Sequence, residues 1–135
     1  IIHYVKKNKK NSIILNYDES SENFFKWYQQ LTAESLGKKS KGITPIISSM
    51  PKDNHSLLQL YLDGPKNCFF TFFNVTSKTS NKQSNKFILD DKKYLKNKNL
   101  SEILEAQEKS TQNIFRKKNI PFRSFKIKKK DQKNS

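Results

Sequence analysis

Several things are scarce in this chain of 135 residues, and each scarcity excludes something. Cysteine occurs once, at Cys68, so no disulfide can form within the chain and a reducing compartment is expected. Three glycines cannot build a Gly-rich loop that cradles phosphate. Two widely separated histidines, His3 and His55, with one cysteine are poor material for a metal centre. No run of ~18 apolar residues is present, which excludes a transmembrane helix. Arginine stands only at Arg116 and Arg123, so the basic charge is almost entirely lysine. Apolar residues make up 33% of the chain, low for a globular domain, but they cluster.

What is abundant is positive charge. The formal net charge is +15, which suits a phosphate-rich partner such as nucleic acid, an anionic membrane or a phosphorylated metabolite. A lysine- and asparagine-rich solvated surface gives the same number. The shortage of arginine, the residue with the fork that reads bases and phosphates, argues against nucleic acid. Length allows one domain. The opening at Ile1 and the closing polar run read as part of a longer protein.

Apolar runs at Ser12–Tyr17 and Cys68–Val75 have the length and composition of buried strands. Residues 43–50 read as extended, and 121–127 as a last strand. A brief strand is expected over 87–89. Helices are expected over about 22–36, 54–62 and 99–118. The first carries Phe24, Trp27, Tyr28 and Leu31 at core spacing, and the third carries Leu100, Ile103, Leu104, Ile114 and Phe115. Asp53 and Asn54 look like the N-cap of the second helix, with His55, Gln59 and Leu62 on one face. Residues 1–11 read as the end of a helix and a lysine-rich turn, and 76–86 as a polar loop. Strands and helices alternate without hairpin signals, which predicts a three-layer α/β sandwich on a mostly parallel sheet.

The chemistry-bearing residues concentrate between Trp27 and Val75. Gln30 and Glu34 are four apart, one above the other on a helix, with Trp27 and Leu31 on neighbouring rows. A carboxylate beside an apolar stripe is costly unless it is bonded or used. Partial burial there is also what a general base working near neutral pH requires. His55 in the first turn of a helix would feel the positive dipole end and stay neutral, able to relay a proton. Ser56 beside it lacks the strand-turn-helix setting of a hydrolase nucleophile. Each of Glu34 and His55 also has an ordinary structural reading, as a solvated helical carboxylate and a cap or surface histidine.

The segments QQLTAESLGKKSKGITP and DNHSLLQLYLDGPKN resemble the bacterial-type glucose-6-phosphate isomerase family. The resemblance continues more weakly through LSEILEAQ and NIPFRSFKI. It implies an enzyme that interconverts glucose and fructose 6-phosphates through an enediol, with neither metal nor cofactor. Glu34 matches the family's proton-shuttling base, Gln30 a substrate-contacting glutamine, and His55 the histidine of ring opening. Family members are homodimers in which that histidine reaches the partner's site. The implied fold is of the sugar-isomerase (SIS) type, with residues 1–128 part of the second such domain and 129–135 a polar tail. A cytoplasmic location follows. The family's Ser/Thr-rich phosphate loop, its enediolate-steadying arginine and its C-terminal lysine motif have no counterpart in these 135 residues, so the chain alone is expected to be inactive. A non-catalytic remnant or dimerisation module, and a basic nucleic-acid-binding protein, are the alternatives.

Overall fold

The apolar runs become strands because β-branched and aromatic residues fill both faces of a pleated sheet. In the computed structural model, which describes residues 8–38, 42–76 and 100–128, four strands lie side by side. They are β1 (Asn11–Asn16), β2 (Thr44–Ser49), β3 (Cys68–Thr76) and β4 (Phe122–Lys128). Their order is β2-β1-β3-β4 and every pairing is parallel. Three α-helices connect them: α1 (Glu22–Leu36), α2 (Leu58–Asp63) and α3 (Leu100–Lys117). The expectations for residues 1–7, 77–99 and 129–135 lie outside the described residues.

The strand order dictates the layers. From β1 the chain steps to β2 on one side, then crosses back over β1 to β3 and on to β4. Right-handed crossovers in opposite directions put their helices on opposite faces. The side chains agree. Ile13, Leu15, Tyr17, Phe70 and Phe72 face α2 and α3, where they enclose Tyr61, Phe115 and Ile120. Aromatic edges lock this layer: Phe115 meets Phe70 at 4.8 Å and Phe72 at 5.3 Å between ring centroids. On the other face, Phe25 of α1 stands edge-on to Phe73 at 4.8 Å. The three-layer arrangement expected from the sequence is therefore present.

Two helical faces and one helix start differ from expectation. On α1, Phe25 is buried, whereas Phe24 and Trp27 are 56% exposed and Leu31 41%. The helix turns Phe25, Tyr28, Gln29 and Thr32 toward the sheet, because Phe25 docks on Phe73 and the Gln29 side chain donates to the Pro45 carbonyl at 2.8 Å. The apolar stripe through Trp27 is real, but it points outward. On α3, Leu100 and Ile114 are exposed, and Glu108, Thr111 and Phe115 are buried. Hydrogen bonds make the buried carboxylate tolerable there: Asn74 and Gln112 both donate to Glu108 at 2.8 Å.

The second helix does not begin at Asn54. Lys52–Asn54 form a single 3-10 turn, residues 55–57 form a turn, and α2 starts only at Leu58. Gly64 ends it, where a Cβ would stand 2.3 Å from the Leu60 carbonyl oxygen. His55 is thus not in the first turn of an α-helix, and it shares no helical face with Gln59 and Leu62.

Candidate functional site

Parallel strands fix where each connection lies. The α1 segment leaves the C-terminal edge of the sheet, where Phe25 meets Phe73, and runs toward the N-terminal edge, where Gln29 meets Pro45 at the start of β2. Gln30 and Glu34 lie further along the same direction. The turn bearing His55 follows the end of β2, so it lies at the C-terminal edge. The rise of the intervening helix and strand puts Glu34 and His55 about 20 Å apart along the strands. Gln30 and Glu34 are brought together as their spacing predicts, and His55 is not brought to them.

The Gln30 side-chain amide donates to Glu34 Oε1 at 2.9 Å, leaving the other carboxylate oxygen without a protein donor among the described residues. Both residues are exposed. They share the outward face of α1 with Trp27 and Leu31, so nothing among the described residues supplies the burial expected for Glu34. The face combines an oriented carboxylate with uncovered aromatic and aliphatic surface. Uncovered apolar surface beside an oriented carboxylate marks this face as a candidate contact surface.

His55 is exposed, and its imidazole has no hydrogen-bond partner among the described residues. The turn that carries it is tightly held. Asp53 does not cap a helix as its sequence setting suggests. Its Oδ2 instead accepts from the Ser49 backbone N–H at 2.7 Å and the Ser48 hydroxyl at 3.0 Å, both at the end of β2. Ser48 is fully buried and also accepts from the Tyr61 hydroxyl of α2 at 3.3 Å. Burial pushes the Tyr61 phenol above its ordinary range, which keeps it a donor. The sequence reading misses this role of Asp53 and Ser48. The available signal is a serine pair four and five residues before an aspartate, across Met50-Pro51.

Elsewhere the charged groups serve the scaffold. Lys118 pairs with Asp63 at 2.6 Å and, through that hydrogen bond, holds its carboxyl below the usual range. Lys126 of β4 does the same for Glu105 of α3 at 3.1 Å. Among the described residues no three of His, Cys, Asp and Glu are placed to hold a metal ion, and no helix is long and apolar enough to cross a membrane.

A doubly wound parallel sheet with an exposed carboxylate on a helix toward one end of its strands and an exposed histidine on a turn at the other defines a class: an α/β domain built on a parallel sheet. The comparisons sharpen this. The chain is 38% identical over 123 residues to the glucose-6-phosphate isomerase of Methanocaldococcus jannaschii, a match spanning 90% of this chain and 30% of that protein. It is 36% identical over 140 residues to the glucose-6-phosphate isomerase of Campylobacter jejuni, spanning 96% of this chain and 33% of that protein. The resemblance to this family is therefore borne out, and the chain spans about a third of the length of these relatives. No family model matches. The crystal structure of a hypothetical protein from Thermus thermophilus superposes with a TM-score of 0.80 at 21% identity, covering 93% of this chain and 32% of that one, which supports the fold.

Proposed function

We propose that this chain is the part of a glucose-6-phosphate isomerase that supplies the proton-shuttling base and the ring-opening histidine. The supporting observation is the Gln30–Glu34 pair on the uncovered face of α1. In this reading the domain is of the sugar-isomerase (SIS) type, the second of the full enzyme, working in the cytoplasm. Glu34 takes the proton from C2 of the open-chain aldose as the C1 carbonyl becomes an enediolate oxygen. A proton then passes from the C2 hydroxyl to the C1 oxygen, and as Glu34 returns its proton to C1 the C2 oxygen becomes the ketose carbonyl. Gln30 orients the carboxylate through one oxygen and leaves the other for the substrate. Covering the outward face removes water around Glu34, as a general base near neutral pH requires.

His55 would move a proton between the anomeric hydroxyl and the ring oxygen during ring opening. The estimated separation of about 20 Å along the strands favours His55 serving a different substrate from the one that Glu34 of the same chain attacks. A homodimer in which His55 enters the partner's site meets that requirement. The test is Glu34→Gln in the complete protein, assayed for interconversion of glucose and fructose 6-phosphates. Loss of about 10²–10⁴-fold in kcat is expected, because a positioned base contributes that much. Retained activity overturns the assignment. Residues 1–135 alone should show no turnover.

A further inference from the structure

Asp53 holds the turn around His55 at both ends. Its carboxylate anchors the entry of the turn to the last two residues of β2, through Ser49 N–H and the Ser48 hydroxyl. Its backbone carbonyl accepts from Leu57 N–H at 2.9 Å and closes the exit. Behind it, the Tyr61 hydroxyl donates to Ser48, and the Ser48 hydroxyl donates to Asp53. Donors lined up toward one carboxylate strengthen one another in a buried setting. Three parts of the fold, β2, the turn and α2, are thereby fixed to one another at the point from which His55 projects. His55 has no side-chain bond of its own among the described residues. Its placement therefore depends on the backbone that Asp53 holds.

We propose that Asp53, through Ser48, is the positioning residue for His55. This rests on the isomerase reading for its consequence, though not for its geometry. Misplacement of a catalytic group by ~1 Å costs about 10²-fold. The experiment compares Asp53→Ala, Asp53→Asn and Ser48→Ala with the wild type in the complete protein. It measures kcat and KM for glucose 6-phosphate and hydrogen exchange in residues 50–57. Asp53→Ala is expected to lower kcat by about 10–100-fold with KM little changed, and to speed exchange in the turn but not in β3. Asp53→Asn, which keeps an oxygen that can accept both bonds, should restore most of the rate, and Ser48→Ala should fall between. Wild-type kcat and exchange in Asp53→Ala would overturn the proposal. So would an equal loss in Asp53→Asn and Asp53→Ala, since the charge rather than the clamp would then matter. An inactive wild-type protein refutes the isomerase reading instead, while the exchange comparison still decides whether Asp53 holds the turn.

Discussion

Tyr17 shows how one buried residue records its surroundings. It is 2% exposed at the end of β1, and its hydroxyl donates to Thr111 at 3.3 Å. Burial is the main cause that pushes its phenol from 10.0 up to about 12; the Thr111 hydrogen bond opposes the shift and the Glu108 carboxylate adds to it. The sign of the linkage follows. The folded state holds this proton more tightly than the unfolded chain, so Tyr17 leaves stability intact below pH 10 and erodes it from pH 10 to about 12. The loss over that window is on the order of 2–3 kcal/mol, at ~1.4 kcal/mol per unit. Tyr17→Phe should lose less stability than the wild type between pH 9 and 12 in urea titrations. Parallel curves would show that Tyr17 ionises without opposing the fold. At this scale the sequence is legible where partners are local. The Gln30–Glu34 contact follows from helical spacing alone. The Asp53–Ser48 clamp does not, because a carboxylate ahead of a turn has a nearer job as a cap, and only the strand end behind it draws it away.

At the scale of elements, the sequence shows that helices exist and where they end more clearly than which face turns inward. The first helix occupies the residues expected for it, yet its aromatic stripe points to solvent. Phe24, Phe25, Trp27, Tyr28 and Leu31 offer two overlapping apolar faces, and the position of Phe73 decides between them. Helix α3 repeats the lesson. Ile114 and Phe115 are adjacent, and spacing admits either, but only Phe115 is enclosed by Phe70, Phe72 and Phe122. The energetic contrast is large. Phe115→Ala should cost about 3–5 kcal/mol, since a full aromatic side chain is removed from a packed layer. Ile114→Ala, with its side chain at the surface, should stay within about 0.5 kcal/mol. Denaturant midpoints of the two variants check this, and equal losses would mean that α3 is rotated from the orientation described.

At the scale of the whole molecule, the separation of Glu34 and His55 is invisible in a line of residues, because strand order and crossover direction set it. The same topology leaves a second mark. Parallel sheets are ordinarily covered on both faces. Here Phe125 and Ile127 of β4 are 48% and 51% exposed on the side of the sheet that carries α1. Arg123 covers only part of the Phe125 ring, its guanidinium 5.1 Å from the centroid. Among the described residues β4 pairs with β3 alone, so its outer edge presents unpaired backbone groups beside this apolar surface. An open edge next to exposed apolar side chains is a template for pairing with another chain. The net charge of +15 opposes such contact by repulsion, which salt screens. Residues 1–135 alone are therefore expected to associate more as salt rises from about 0.05 M to about 0.5 M, where the Debye length falls from ~14 to ~4 Å. Phe125→Lys with Ile127→Lys should return the chain to monomer in sedimentation velocity at the higher salt. Association that persists in the double variant would move the sticky surface to the outward stripe of α1, where Trp27→Lys becomes the decisive substitution.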